Sequence, residues 1–165
     1  DAMKFLDPSD MTKGMAFDGR ISEEFKLLTG TWVRAANLRL EVLGVLGDIV
    51  QDVVITGADR SDIGLLLVPS AKLRDYPDAS DDAGAMIIEA GAAEIASKLQ
   101  SRGDQGSSTR IARVLIMTEP PSIAEGEITA KGNLNFRKIL QRRAALLDRL
   151  YDDADLATIL IQGVQ

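Results

Sequence analysis

The chain contains no cysteine and no histidine. Without cysteine there is no disulfide, no thiol nucleophile and no thiolate metal site, and a disulfide-stapled secreted scaffold is excluded. Without histidine there is no Ser-His-Asp relay and no imidazole ligand for zinc. Chemistry is left to Lys, Arg, Asp, Glu, Ser, Thr and the backbone. Long apolar runs are also missing: none exceeds four residues, Leu65-Leu66-Leu67-Val68 being one. A spanning helix needs about 20. The first residues lack the basic-then-apolar pattern of a signal peptide. The expectation is a soluble cytoplasmic protein with no membrane partner.

What is present is 165 residues, 45% hydrophobic and 27% charged, with a net charge of −6. That length supports one or two small domains with a real core. The acidic balance argues against a general nucleic-acid binder. Charge is uneven, however. Residues 131–149 hold Lys131, Arg137, Lys138, Arg142, Arg143 and Arg149 against one acid, Asp148. That stretch is +5, and the rest of the chain is −11.

Periodicity gives a coarse order of elements. Short extended segments are expected at residues 15–17 and 25–28. Apolar residues at Leu38, Val42, Val45 and Leu46 predict a short helix. Residues 50–56 and 63–68 are rich in Val, Ile and Leu and should pair as a hairpin around Gly57-Ala58-Asp59. Ser80 or Asp81 can cap a helix running to about Leu99, with Ile88, Ala92, Ile95 and Leu99 on one face. Residues 101–108 read as a loop. Residues 111–117 read as a strand halted by Pro120-Pro121. Phe136, Ile139, Leu140, Leu147, Leu150 and Tyr151 predict one last helix. The fold class is α+β: a small N-terminal β-hairpin and a few-stranded mixed sheet packed against helices.

Four stretches can carry function. Asp18-Gly19-Arg20 is either a turn with a solvated Arg or a planar fork of donors for an anion. Thr29-Gly30-Thr31-Trp32 is either a loop with Trp32 in the core or a backbone segment that a ligand can approach closely. Lys131, in Gly126-Glu127-Ile128-Thr129-Ala130-Lys131-Gly132-Asn133, is either solvated or a loop cation beside a helix N-terminus, able to stabilise a phosphate. Arg137, Lys138, Arg142 and Arg143 are either a polyphosphate contact or the solvated face of an amphipathic helix. The acids of residues 77–82 lack the spacing of a calcium loop, so no metal site is expected. Residues 57–64 fit neither a Rossmann nor a P-loop pattern.

In order along the chain, these segments resemble the C-terminal domain of adenylate-forming acid–CoA ligases. Gly19-Arg20-Ile21-Ser22-Glu23 followed by Gly30-Thr31-Trp32-Val33 carries the pattern. Phe17-Asp18-Gly19-Arg20, Glu24-Phe25-Lys26-Leu27, Glu119-Pro120-Pro121-Ser122 and Gly126-Glu127-Ile128-Thr129 with Lys131-Gly132 are closer still to feruloyl-CoA synthetases. The resemblance implies two segments: residues 1–24 as linker and hairpin up to the hinge, and residues 25–165 as a mobile C-terminal domain. It implies that Asp1 and Arg20 hold the nucleotide ribose and that Glu23 is the hinge. It places Gly30 in the segment lining the pantetheine tunnel, and makes Lys131 the catalytic lysine of adenylation. Many relatives read Thr-x-x-Gly-Lys, which puts the lysine where Asn133 stands; here Lys131 precedes Gly132. The co-substrates implied are ATP and CoA, with Mg2+ travelling with ATP and not held by this part. The partners implied are an N-terminal adenylation domain preceding Asp1, AMP as product, and an aryl (hydroxycinnamic) acid. The rival expectation is a stand-alone acidic α+β interaction or effector-binding module without catalysis.

Overall fold

The structure, a computed structural model, describes residues 24–102, 106 and 108–161, and the backbone of two short strands, Met3–Phe5 (β1) and Met15–Phe17 (β2). Of the candidate site residues, Asp1, Arg20 and Glu23 lie outside the described residues. Of the expected loop at 101–108, only residues 101, 102, 106 and 108 are described.

The two extended segments foreseen near the N-terminus take separate partners. β2 pairs antiparallel with β1. Glu24–Lys26 (β3) pairs antiparallel with Trp32–Arg34 (β4), Phe25 opposite Val33. Ala35–Leu46 (α1) follows directly and buries Ala35, Leu38, Val42 and Leu46, close to the stripe read from the sequence. Val50–Thr56 (β5) and Ile63–Pro69 (β6) form the foreseen hairpin, with Ile55 opposite Leu65. A four-residue turn of helix, Ala71–Arg74 (α2), comes next.

The long helix expected from Ser80 or Asp81 is corrected. Ser80–Asp82 (β7) and Ala85–Ile87 (β8) form a tight hairpin, and the helix begins only at Ala90, spanning Ala90–Gln100 (α3). Ala83 and Gly84 both have positive φ, 52° and 93°, which no continuing helix allows. The Asp81 carboxylate accepts the Gly84 N–H and the Thr118 hydroxyl, closing that turn. The capping is done by Asp78, whose Oδ2 accepts the N–H groups of Glu89 and Ala90.

Ile111–Ile116 (β9) runs parallel to β6. The single last helix is also corrected. It is two helices, Phe136–Arg142 (α4) and Ala144–Leu150 (α5), interrupted at Arg143, whose φ of −105° and ψ of 34° leave the helical region. Ile159–Leu160 (β10) then pairs antiparallel with β9.

The main sheet is mixed, in the order β10-β9-β6-β5. Its alternate residues feed two cores. Val53, Ile55, Leu65, Leu67, Val114 and Ile116 face α1 and α3. Val54, Leu66, Val68, Leu115 and Met117 face α4 and α5. Every residue of β6 is buried, as expected for a central strand covered on both faces. Each core aliphatic removed from water contributes about 1.5–3 kcal/mol, so this sheet is the rigid frame. The α+β class foreseen from the sequence is the fold observed. Among the described residues no helix is long and apolar enough to cross a membrane.

Candidate functional site

Two hairpins project from this frame. The first joins β3 to β4. Its turn is closed by the Gly30 N–H on the Leu27 carbonyl (2.9 Å) and the Leu27 N–H on the Thr31 carbonyl (2.9 Å). Gly30 itself sits at φ 86°, with no heavy atom within 4 Å of where a Cβ would stand. Trp32 is 59% exposed and Leu28 69% exposed, so Trp32 is not a core residue. The Lys26 ammonium lies 4.8 Å from the Trp32 ring centre. The hairpin is fastened to the β5–β6 turn: Leu28 N–H donates to the Arg60 carbonyl (2.8 Å) and Asp59 N–H to the Lys26 carbonyl (3.2 Å).

That turn is held in its own right. Arg113, nearly buried, forms a fork on Asp62 (3.0 and 3.3 Å) and reaches Asp153 at 2.8 Å. The Tyr151 phenol donates to the Asp62 carbonyl at 2.9 Å and takes a hydrogen bond from Thr56 at 3.0 Å. The guanidiniums of Arg60 and Arg113 lie 4.7 and 5.0 Å from the Tyr151 ring centre.

The second hairpin carries Lys131. Ile128 and Leu134 bridge its base. The Gly132 N–H donates to the Thr129 carbonyl (2.9 Å), and the Thr129 N–H to the Asn133 carbonyl (2.8 Å). Gly132 takes φ 85°, the left-handed value such a turn needs at this position. Lys131 is therefore one residue before that bend, at the exposed tip. It has no hydrogen-bond or ion-pair partner among the described residues. An ammonium held out this way is a cation available to a ligand.

The base of the Lys131 hairpin holds a pairing that the sequence reading did not foresee: Arg143, read there as a phosphate contact or a solvated side chain, is buried against Glu127. Glu127 is 0% exposed and Arg143 7% exposed. Arg143 Nε donates to Glu127 Oε2 at 2.8 Å, and Nη2 to Oε1 at 3.0 Å. The other Arg143 donors reach the carbonyls of Glu119 (2.7 Å) and Pro120 (3.1 Å). Glu127 also accepts the Ser122 N–H at 3.0 Å and faces Arg142 at 2.9 Å. Burial pushes the Glu127 carboxyl upward, but Arg143, the Ser122 N–H and Arg142 outweigh it, and the group sits below its ordinary range.

The basic stretch thus divides. Arg142, Arg143 and Arg149 are committed to acids, Arg149 to Asp155 (2.8 Å) and Asp82 (2.9 Å). Arg137 and Lys138 have no ion pair among the described residues. The N-terminus of α4, offered as an anion site, is occupied by its own cap: Asn135 Oδ1 accepts the Lys138 N–H at 3.2 Å. Phe25 and Ala35 from the first hairpin's flank, and Phe136 and Arg137 from α4, share a groove of about 210 Å³ with Arg39 and Ile55. Gly30 and Lys131 stand on separate hairpins with no hydrogen bond between those hairpins among the described residues. No group of three or more His, Cys, Asp or Glu among the described residues is placed to hold a metal.

A mixed sheet between two helical layers thus carries two hairpins, one with Gly30 and one with Lys131. Residues 25–155 match the family model of the AMP-binding enzyme C-terminal domain, and the chain belongs to that family. The fold recurs in solved adenylation domains. That of a carboxylate reductase from Mycobacterium chelonae gives a TM-score of 0.65 at 20% identity, over 92% of this chain and 22% of the other. The A domain of a carboxylic acid reductase from Segniliparus rugosus, solved in complex with AMP and a co-purified carboxylic acid, gives 0.64 at 22% identity, over 88% and 22%. The A-PCP didomain of a carboxylic acid reductase from the same organism gives 0.61 at 22% identity, over 84% and 18%. The chain thus spans about a fifth of the length of these neighbours. No curated protein matches it.

Proposed function

We propose that this chain is the mobile C-terminal domain of an ATP-dependent, AMP-forming acid–CoA ligase of the feruloyl-CoA synthetase type. In this reading residues 25–165 move as a unit about a hinge at Glu23. The observation that carries it is Lys131, without a partner among the described residues, at the tip of a hairpin whose base is fixed by a buried ion pair. In adenylation a carboxylate oxygen attacks the α-phosphorus of ATP, and the bond to pyrophosphate breaks. Negative charges converge there, and Lys131 supplies the cation. In the second step the CoA sulfur attacks the acyl carbon and AMP leaves. That step needs Lys131 withdrawn and the backbone around Gly30 brought in, which a domain rotation achieves. Asp1 and Arg20 would hold the ribose, and Mg2+ would enter with ATP. The acid pocket would lie in an N-terminal adenylation domain, with a hydroxycinnamic acid as the substrate class.

A second reading is favoured by the solved neighbours, which are adenylation domains of carboxylate reductases. One of them is joined to a PCP domain. There the thiol would be borne on a carrier domain in place of free CoA. Adenylation is common to both readings, and the arrangement of Lys131 serves either.

The test is made in the full-length protein. Lys131→Ala removes a charge-stabilising group, which costs about 3–4 kcal/mol, or about 10²–10³-fold. ATP–pyrophosphate exchange should fall by that factor. Thioester formation from a preformed acyl-adenylate should change less than about threefold. Equal losses in the two half-reactions refute the role of Lys131. Comparing free CoA with a carrier-borne thiol as acceptor separates the two readings.

A further inference from the structure

We infer that Glu127 and Arg143 are a positioning pair for Lys131, an inference that rests on the adenylation reading above. Lys131 lies midway between Glu127 and Asn135, and both ends of that segment are tied. The Asn135 N–H donates to the Glu127 carbonyl at 2.8 Å, and the Glu127 N–H to the Ser122 carbonyl at 2.9 Å. The Glu127 side chain then points inward, where Arg143 meets it with two hydrogen bonds. Arg143 also gathers the carbonyls of Glu119 and Pro120. One guanidinium therefore joins three pieces of chain: the break between α4 and α5, the segment after β9, and the base of the lysine hairpin.

Stability alone does not account for such a pair. A buried ion pair is commonly no more stabilising than an apolar pair of equal volume, because both charges lose water. What it adds is direction. The guanidinium fork is planar, and it fixes the carboxylate in plane and in distance. Leucine and methionine in these places would fill the space and let the hairpin roll. Lys131 is four residues from Glu127, so a small rotation at the base is magnified at the ammonium. A misplacement of about 1 Å at a reacting centre costs up to about 10²-fold. The helix break at Arg143 belongs to the same device, since it lies at the residue that meets the carboxylate.

The experiment uses the full-length protein with Glu127→Gln, Arg143→Lys, and the apolar pair Glu127→Leu/Arg143→Met. Each is made alone and on the Lys131→Ala background. Pyrophosphate exchange, thioester formation from preformed acyl-adenylate and Tm are measured. Each variant should lower kcat for exchange by about 10–100-fold, with little change in KM for ATP or in thioester formation. On the Lys131→Ala background the further loss should vanish, because the pair acts only through that lysine. The apolar pair leaves the Glu119 and Pro120 carbonyls and the Ser122 N–H without these partners but strands no charge, so it should lower Tm less than Glu127→Gln and still lose exchange, which covers the case in which a single substitution does not fold. Unchanged exchange in the apolar pair overturns the inference. So does a loss shared by both half-reactions, or one that persists without Lys131. If Lys131→Ala alone leaves exchange intact, the adenylation role itself has failed. If it abolishes exchange while the pair is silent, only the positioning role has failed.

Discussion

Tyr151→Phe deletes one oxygen and keeps the ring, so it isolates the polar part of the network that holds the β5–β6 turn. The phenol donates to the Asp62 carbonyl and accepts from Thr56, which is itself buried. A hydrogen bond contributes about 0.5–1.5 kcal/mol net, and a buried group left unpaired costs more. Two such bonds give an expected loss of about 2 kcal/mol at pH 7, or about 6 °C in Tm for a domain of this size. The two guanidiniums over the ring remain in both proteins, so their contribution cancels. Ionisation supplies a second signature. Burial, with the Asp62 charge, raises the phenol above its ordinary value, against the Thr56 hydrogen bond and the two arginines. A raised acid in the native state stabilises fully below its unfolded value and loses that stability as pH rises through the native one. The wild type should therefore lose stability above about pH 10 that the variant does not lose. Urea unfolding of the 165-residue chain at pH 7 and 10.5 measures both. A gap under about 0.5 kcal/mol at pH 7, or one that stays the same at pH 10.5, refutes the reasoning.

Gly64→Ala should destabilise the chain by about 1–3 kcal/mol in the same assay. A Cβ there would stand 2.9 Å from Arg113 Cγ, Leu150 Cδ2 and Thr56 Oγ1 at once. The 165-residue chain by itself should fold, giving a cooperative unfolding transition, and should show no ATP–pyrophosphate exchange; measurable exchange would contradict the division of labour proposed for the two domains. Glu127→Gln should cost about 3 kcal/mol at pH 7, because it leaves Arg143 buried without its counter-charge. The Glu127 carboxyl is lowered in the native state, so its stabilisation is whole above about pH 4.3 and is lost as pH falls through the native value. The difference between wild type and Glu127→Gln in acid urea titrations should shrink across that range.

The sequence was most legible where one period ran without interruption. β5, β6 and β9 show as Val-, Ile- and Leu-rich runs because a doubly covered sheet selects for little else. Reading failed where a few polar contacts outvoted periodicity. Ile88 falls in register with Ala92, Ile95 and Leu99 and is indeed buried, yet it precedes α3. The Asp81–Gly84 turn and the Asp78 cap, six to twelve residues before Ala90, move the helix start. Phe136 to Tyr151 keeps a helical stripe through Arg143 because backbone bonds continue on both sides of the break, from Arg143 N–H to Ile139 and from Leu147 N–H to Arg143. Nothing in the local pattern separates the buried Arg143 from its neighbour Arg142. The available signal was Glu127, an acid inside the Gly126–Thr129 motif whose partner is 16 residues away. Lys131 was legible as a loop cation, and its exposed position at the hairpin tip fits that reading.

The two hairpins differ in what fixes them, and this bears on how one domain would serve the two proposed steps. The Gly30 hairpin is tied to the β5–β6 turn, and through it to Asp62, Arg113 and Tyr151. The Lys131 hairpin is tied to Arg143 and the segment after β9. The two networks share no residue. They meet at β6 and β9, the strands most deeply buried, and along α5, which Arg143 opens and Tyr151 closes. A change at one hairpin therefore has the packed sheet or the length of α5 to cross before it disturbs the other. Two tools mounted separately on one rigid frame are best exchanged by turning the frame, because bending either hairpin toward the other would break contacts in a close-packed core. Substitutions in the Tyr151 network should then weigh on the step proposed for Gly30, and those at Glu127 and Arg143 on the step proposed for Lys131.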